Sequence, residues 1–215
     1  MINNLVLSGG GVMGFAYLGA LKYLVNVKFL ELENIENIVG ISCGAMVGFM
    51  LSIGYDIDEL VQTVSEIDYS LVDEKQDLII LFDKLGLNSG DRLVKILQEL
   101  LVEKHNTRDV TFKELYEINN ISFYVQATNV SKQQMETFSH HTSPDMSVIL
   151  AVRMSLSVPL VFEPILYNTE MYVDGALVSN FPLLRHIPIE FADKHTLGFN
   201  TSESILVEQE SSLDQ

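Results

Sequence analysis

The first 55 residues contain, twice in succession, a short apolar run that ends in a glycine-rich turn and continues into a helix-forming segment. The first is NNLVLSGGGVMGFAYLGALKYLV, where we predict a strand from Leu5 to Leu7 and a helix that reaches about Val25. The second is NIENIVGISCGAMVGFMLSIG, with a strand before the turn and a helix from Cys43 to Ile53. Two consecutive strand–turn–helix units predict an α/β fold whose central, mostly parallel sheet is covered by helices.

Further strands are predicted in the segments ISFYVQATNV, MYVDGALVSNFP and HTLGFN, which are rich in β-branched and aromatic residues. Residues 56–103 have a mostly helical pattern, with an apolar stripe from Leu93 to Leu101. No repeat or linker divides the chain. We therefore expect one domain over residues 1–200, followed over residues 201–215 by an acidic, flexible tail or the end of a truncated chain.

Two uncharged runs, residues 5–21 and 37–55, are nearly as long as a membrane span. Both are interrupted by glycines and serines, which favours a buried strand–turn–helix unit over a lipid-facing helix. No basic region precedes the first run, so we expect no signal peptide. The single cysteine, Cys43, excludes an internal disulfide and a Cys-rich zinc site. These features predict a cytoplasmic protein, with peripheral association with membranes left open.

The chain is strongly acidic, because 29 Asp and Glu residues outnumber 13 Lys and Arg and give a formal net charge of −16. A nucleic-acid-binding protein needs a cationic face, so this balance argues against that class of function. It also argues against recruitment to an anionic membrane by long-range attraction alone.

The turn of the second unit has the pattern G-x-S-x-G, formed by Gly40, Ser42 and Gly44. Between a strand and a helix, this pattern is typical of a nucleophile elbow, which exposes a serine hydroxyl above the sheet. The flanking glycines avoid collisions between strand and helix, and the start of the helix favours negative charge. The alternative is a glycine-containing turn that matches the pattern by chance.

The turn of the first unit, SGGGVMG, permits two interpretations. Gly9-x-Gly11-x-x-Gly14 matches the dinucleotide fingerprint, which also requires an acidic residue at the end of the second strand. That position holds Ser42 instead. The second interpretation is an oxyanion hole, in which the backbone N–H groups of Gly9, Gly10 and Gly11 face a reacting carbonyl group. The serine turn downstream favours the oxyanion hole.

A carboxylate follows another predicted strand in YVDGALVSNFP, where Asp174 and Gly175 are either an ordinary Asp-Gly turn or the site of a base for the serine. Histidine is the usual base in serine hydrolases. His140 and His141 precede Asp174, whereas His186 and His195 follow it, in the chain order of an α/β-hydrolase triad. None of the four lies in a recognisable motif, and no cluster of metal ligands is evident.

In this order, the motifs resemble those of the patatin-like phospholipase family over nearly the whole chain. The glycine loop is similar to the family's oxyanion motif, the turn from Gly40 to Gly44 to its serine elbow, and Asp174-Gly175-Ala176 to its D-G-[GA] motif. The segment AVRMSLSVPLVFEP, Ala151 to Pro164, resembles the block between elbow and aspartate. One departure is Met13, where many members have Arg or Lys.

The resemblance implies a three-layer α/β/α sandwich and a Ser42–Asp174 catalytic dyad without a histidine base. It also implies hydrolysis of fatty-acyl esters, of phospholipase A type, without a cofactor or metal. The residues implied to form the oxyanion hole or to support the motifs are Gly9, Gly10, Gly11, Gly14, Gly40, Gly44, Gly175 and Ala176.

The expected partner is a phospholipid or another acyl lipid at a membrane or micelle surface, and a protein activator or a homodimer stays open. The apolar stretch from Asp77 to Leu87 is either an interfacial segment or lid, or a buried helix segment. Two alternative functions are a catalytically inactive lipid-binding or scaffolding relative and a dinucleotide-dependent oxidoreductase.

Overall fold

The computed structural model describes residues 1–66, 86–181, 191 and 195–201. Its strands are β1 (Asn4–Leu7), β2 (Asn37–Ile41), β3 (Gly86–Asn88), β4 (Ser122–Asn129), β5 (Gln134–Phe138), β6 (Leu160–Phe162), β7 (Ile165–Tyr167), β8 (Glu170–Asp174) and β9 (Thr196–Phe199). Its helices are α1 (Phe15–Asn26), α2 (Cys43–Ser52), α3 (Ile57–Glu66), α4 (Asp91–His105), α5 (Phe112–Asn119) and α6 (Val148–Ser155).

The main sheet has the strand order β7-β8-β4-β2-β1-β9, and β5 also pairs with β4. Strands β9, β1, β2 and β4 are parallel to one another, whereas β5 and β8 are antiparallel to β4, and β7 is antiparallel to β8. The predicted α/β fold with a central, mostly parallel sheet is therefore confirmed. The strands β5 and β7, and the small parallel pair β3–β6, were not predicted.

Side chains of the central strands alternate between two apolar clusters, as expected for a sheet buried on both faces. Leu5, Leu7 and Ile38 point into a large core that the helices also fill, whereas Val6 and Val39 belong to a smaller cluster on the other face. In the described part of the chain, Tyr124 and Phe191 are the other members of this second cluster, and Phe181 packs against it.

Helix α2 explains the longer uncharged run of the sequence. All of its residues except Cys43 and Met46 are buried, because it lies against the sheet and beneath other helices. A β-carbon on Gly48 would lie 2.9 Å from the ring of Phe123, so the glycine permits close contact between helix and strand. Within the ranges that the structure describes, no helix is both long enough and apolar enough to cross a bilayer.

The strand register determines which residues meet at the end of the sheet. Ile41, the last residue of β2, pairs with Gln126 of β4. Strand β4 continues past the end of β2, and its next residue, Ala127, pairs with Asp174 at the end of β8. Because β5 occupies the other side of β4, β2 and β8 lie end to end along the same side, and Ser42 and Asp174 meet where their ends face each other.

Helices α3 and α4 confirm part of the helical pattern predicted for residues 56–103, and β3 interrupts it. The candidate interfacial segment Asp77–Leu87 lies mostly in residues 67–85, outside the described residues. So does the predicted tail, apart from Thr201. The single-domain organisation stays a prediction.

Candidate active site

Ser42 lies in the sharp turn between β2 and α2 and has a backbone conformation that is unusual for serine. Its φ is +53° and its ψ is −125°, in a region that favours glycine. In this orientation its backbone N–H leaves the sheet and donates to Oγ of Ser155, 2.8 Å away. The Ser155 hydroxyl in turn donates to the carbonyl oxygen of Gln126 on β4, at 2.7 Å. The strained turn is thus tied to the neighbouring strand through the last residue of α6.

The glycines around this turn are required by close backbone contacts. A β-carbon on Gly40 would lie 2.5 Å from the carbonyl oxygen of Gly44, and one on Gly44 would lie 2.5 Å from the carbonyl oxygen of Ser8. A β-carbon on Gly14 would lie 2.9 Å from Sγ of Cys43. All three distances are too short for a real β-carbon. The turn and the preceding glycine loop therefore fit together only because these side chains are missing.

The glycine loop meets both of the other motifs at Gly9. A β-carbon on Gly9 would lie 3.3 Å from Cβ of Ser42 and 3.2 Å from Cβ of Ala176. The structure therefore brings the glycine loop, the serine turn and the D-G-A segment to one place. In sequence, Asp174 follows Ser42 by 132 residues, and the order of the sheet strands brings them together.

The three predicted oxyanion donors differ in their hydrogen bonding. The N–H of Gly9 donates to the carbonyl oxygen of Asn180 at 3.1 Å, so it is already engaged. The N–H of Gly10 has no acceptor among the residues that the structure describes. Gly11 is exposed, has a φ of +53° and begins the 3-10 turn Gly11–Gly14. Among the described residues, Gly10 therefore has an N–H without an acceptor, whereas the N–H of Gly9 is engaged.

Asp174, at the end of β8, is held by one hydrogen bond from its backbone N–H and one to its carboxylate. Its N–H donates to the carbonyl oxygen of Ser157 at 2.9 Å. Its Oδ1 accepts a hydrogen bond from the N–H of Ala176 at 2.8 Å. A β-carbon on Gly175 would lie 2.6 Å from the carbonyl oxygen of Gln126, so the next residue must be glycine. These contacts fix the carboxylate beside the serine turn.

The carboxylate of Asp174 is buried, with 3% of the residue exposed. Burial raises the pKa of this carboxyl above its ordinary value, and interactions with the Ser42 hydroxyl and the Ala176 N–H partly oppose the rise. Its second oxygen, Oδ2, is buried and accepts no hydrogen bond of normal length from the described residues. A buried carboxylate with an open oxygen next to a serine hydroxyl is suited to accept a proton.

Arg153 supports the segment that holds Asp174, although its side chain is almost completely buried. Its Nη1 donates to Oγ of Ser157 at 2.6 Å, and its Nη2 donates to the carbonyl oxygen of Ser89 at 2.8 Å. The absence of a β-carbon on Gly90 leaves room for the guanidinium group. Burial lowers the pKa of Arg153 to about 10, so the group is still a cation at neutral pH.

Sequence reasoning included Ser155, Ser157 and Arg153 in the block AVRMSLSVPLVFEP but gave them no individual role. The structure shows that this block holds the backbone of both Ser42 and Asp174. A signal was present in the sequence, because two serines and an arginine interrupt an apolar helical pattern. Buried polar side chains are usually hydrogen-bonded to specific partners.

The histidines that the structure describes lie away from Ser42. His195 precedes β9, and its carbonyl oxygen accepts hydrogen bonds from the N–H groups of Asn3 and Asn4 at the start of β1. It therefore lies at the amino-terminal ends of the parallel strands, whereas Ser42 follows the carboxyl end of β2. His140 stacks on Tyr116, with ring centroids 4.1 Å apart, and His141 lies beside it. His186 lies outside the described residues. Among those described, no group of three or more His, Cys, Asp or Glu side chains is arranged to hold a metal ion.

Residues 5–185 match the family model for patatin-like phospholipases. The chain belongs to this family. The resemblance seen in the four motifs is thus confirmed at the level of the family, and the match includes the glycine loop, the serine turn and the D-G-A segment.

Two relatives of this chain come from viruses. An uncharacterized protein of Acanthamoeba polyphaga mimivirus is 34% identical over 184 residues, covering 85% of this chain and 60% of the relative. A probable lipid hydrolase of Invertebrate iridescent virus 6 is 35% identical over 199 residues, covering 88% of this chain and 64% of the relative. The chain therefore spans less than two thirds of the length of these relatives.

Solved structures of two bacterial proteins share the fold. VipD from Legionella pneumophila has a TM-score of 0.63 at 20% identity, covering 92% of this chain and 49% of VipD. ExoU, in its heterodimeric complex with SpcU from Pseudomonas aeruginosa, has a TM-score of 0.55 at 20% identity. That match covers 92% of this chain and 46% of the solved one. At this level of identity the likeness supports the fold alone.

Proposed function

We propose that this chain is a lipid acyl hydrolase of phospholipase A type, with Ser42 as nucleophile and Asp174 as base. The observation that carries the proposal is the buried carboxylate of Asp174, which has an open oxygen beside the hydroxyl of a strained serine turn. Membership of the patatin-like phospholipase family and the likeness to a probable lipid hydrolase support the choice of substrate class.

In the proposed reaction, Oγ of Ser42 attacks the ester carbonyl carbon while its proton moves to Asp174. The negative oxygen that forms is stabilised by the Gly10 N–H and by the positive end of α2. The alcohol part of the lipid then leaves with the proton from Asp174, and an acyl-enzyme remains. Asp174 next takes a proton from a water molecule that attacks the acyl group, and it returns this proton to Oγ of Ser42 as the fatty acid is released.

Incubation with mixed phospholipid vesicles tests this function directly. We expect the wild type to release fatty acid and lysophospholipid in equal amounts, because hydrolysis of one ester bond yields one of each. Mass spectrometry measures both products. The Ser42→Ala variant is expected to release neither, whereas Ser52→Ala, which removes a buried hydroxyl at the other end of α2, is expected to match the wild type.

Release of fatty acid by Ser42→Ala at the wild-type rate would contradict the proposal. Binding of the wild type to vesicles without any product would instead support a non-enzymatic lipid-binding relative.

Exposed apolar side chains lie on the segments that directly follow the site residues. Leu177 follows the D-G-A motif and is 62% exposed, and Leu160 follows the Ser157 segment and is 63% exposed. Val158 and Val178 on the same segments are exposed as well, and so is Met13, which follows the glycines of the loop. We propose that these residues form an apolar rim that contacts a lipid aggregate. The net charge of −16 favours a zwitterionic surface over an anionic one.

The double variant Leu160→Ser with Leu177→Ser is expected to hydrolyse zwitterionic vesicles about tenfold more slowly, because roughly 1 kcal/mol or more of apolar burial is lost at the interface. Its rate on a soluble, monomeric ester is expected to stay at the wild-type value. Phe29→Ser is the matched control. Phe29 is also exposed, but it precedes β2, whereas the site lies after the carboxyl end of that strand. An equal loss on both substrates would show that the rim does not contact lipid.

A further inference from the structure

A cluster of three hydroxyl groups lies directly behind the glycine loop. Tyr17 of α1 places its hydroxyl 2.5 Å from Oγ of Ser8 and donates to the carbonyl oxygen of Ser8 at 2.9 Å. Thr201 follows β9, and its backbone N–H donates to Oγ of Ser8 at 3.0 Å. Both Ser8 and Tyr17 are buried. None of these residues has a role in the reaction described above.

The cluster converges on the carbonyl oxygen of Gly9. This oxygen accepts a hydrogen bond from Oγ1 of Thr201 and lies 2.8 Å from Oγ of Ser8 and 3.3 Å from the Tyr17 hydroxyl. The strand register explains why Thr201 reaches it. Leu7 pairs with Phe199 in the parallel pair β1–β9, so the residue two places beyond Leu7 lies level with the residue two places beyond Phe199.

The orientation of the Gly9 carbonyl determines the orientation of the next N–H. A peptide unit is planar and trans, so the C=O of Gly9 and the N–H of Gly10 point in opposite directions. With its oxygen held in the hydroxyl cluster, the peptide must direct the Gly10 N–H away from the cluster. That N–H has no acceptor among the described residues, and Gly9 itself is next to Ser42.

A glycine-rich segment without such anchors has many accessible conformations, because glycine accepts positive as well as negative φ. Stabilisation of an oxyanion depends on donors that are already oriented before the charge develops. The hydroxyl cluster supplies that orientation from outside the loop.

We propose that Thr201 and Tyr17 are positioning residues, which hold the Gly9–Gly10 peptide so that the Gly10 N–H faces the oxyanion. Thr201 acts by its bond to the Gly9 oxygen, and Tyr17 by fixing Ser8 and closing the cluster. This inference rests on the proposed hydrolase function. It assigns a role to β9, which otherwise only extends the sheet.

Three variants test the roles of these hydroxyl groups. Thr201→Val and Tyr17→Phe each remove a hydroxyl with little change of shape, whereas Thr201→Ser keeps it. Tyr55→Phe is the matched control. Tyr55 is as buried as Tyr17, but its hydroxyl donates to the carboxylate of Glu103 in α4 and has no contact with the glycine loop. For each protein, kcat per active site and KM are measured on a soluble ester, with sites counted from the fluorophosphonate adduct after labelling has gone to completion.

Loss of one oxyanion donor lowers kcat by about 10²–10³-fold. We expect a misoriented Gly10 N–H to lower kcat by about tenfold or more. Thr201→Val and Tyr17→Phe should therefore have a lower kcat per labelled site with KM nearly unchanged. Thr201→Ser and Tyr55→Phe should stay within about threefold of the wild type. A purely structural role would instead lower the thermal midpoint and the number of labelled sites, and leave kcat per site unchanged.

The inference is overturned if both hydroxyl-deleting variants keep wild-type kcat per site, or if Tyr55→Phe loses as much as they do. If Thr201→Val does not fold, the result for Tyr17→Phe decides. Failure of the proposed function is distinguishable, because Ser42→Ala would then hydrolyse the ester as fast as the wild type.

Discussion

A fluorophosphonate probe is expected to add one phosphonyl group to the folded protein, on Ser42, and none to Ser42→Ala. The adduct mimics the tetrahedral intermediate, so its formation requires both an activated hydroxyl and donors for the negative oxygen. Ser42 has the open carboxylate of Asp174 on one side and the glycine loop on the other. Intact-mass analysis followed by peptide mapping gives the number and the position of the adducts.

The neighbouring Cys43 is not expected to compete for the probe. Burial and the nearby charge of Asp174 raise the pKa of its thiol to about 11. At pH 8 only about one thiol in a thousand is then a thiolate, which is the reactive form. Ser52→Ala serves as the control and should be labelled like the wild type. An adduct on any other residue, or none on folded wild type, would remove Ser42 from the role of nucleophile.

The local structure that the sequence predicted around Ser42, a strand, a sharp turn and a helix, is defined by short-range backbone geometry. The serine turn needs glycines where strand and helix collide, and the pattern around Ser42 states this requirement directly. The mostly parallel sheet likewise follows from two successive strand–turn–helix units. Such features depend on neighbours within a few residues, so one sequence is enough to predict them.

Features that depend on distant pairings were not predictable. The bond from Ser155 to the Ser42 N–H joins residues 113 positions apart, and the bonds of Thr201 to the glycine loop join residues more than 190 apart. They follow from the strand order, which places β9 beside β1 and β8 beside β4. The antiparallel strands β5 and β7 were not predicted either. Both are short and lie next to turns, and the sequence patterns used for helices and parallel strands do not detect such strands.

The same limit applies to the individual glycines. The sequence suggested three equivalent N–H donors in the loop, since three glycines stand in a row. The structure distinguishes them, because the Gly9 N–H is engaged by Asn180, which comes from a segment near the other end of the chain. Only the folded arrangement shows that the Gly9 N–H is engaged, while the Gly10 N–H has no acceptor among the described residues.

Asp174→Asn is expected to remove nearly all hydrolysis while the protein stays folded. A general base contributes about 10²–10⁴-fold to the rate, and an amide cannot accept the serine proton. The stability should not fall. Burial raises the pKa of Asp174 in the folded protein. The stabilising contribution of the protonated carboxyl is therefore fully present when the pH is below 3.8, the pKa of this group in the unfolded chain. This contribution is lost as the pH rises through the folded pKa. An uncharged amide avoids that loss at neutral pH.

The wild-type pH profile provides an independent measurement of the same carboxyl. Because Asp174 must be ionised to accept the proton, kcat/KM should decrease at acidic pH with a pKa above 3.8, in the direction that burial produces. A profile that is flat down to pH 4 would contradict this assignment.

The alternative base is a histidine, and it predicts the opposite ranking of variants. In a Ser-His-Asp triad the aspartate only orients the imidazole, and removal of the histidine is as damaging as removal of the serine. His195 lies at the amino-terminal edge of β1 and β9, whereas Ser42 follows the carboxyl-terminal end of β2. We therefore expect His195→Ala and His186→Ala, singly and together, to keep turnover within about tenfold of the wild type, a margin well below the contribution of a general base. If either variant is folded and as inactive as Asp174→Asn, the Ser42–Asp174 dyad is wrong, and the carboxylate orients a base instead of acting as one.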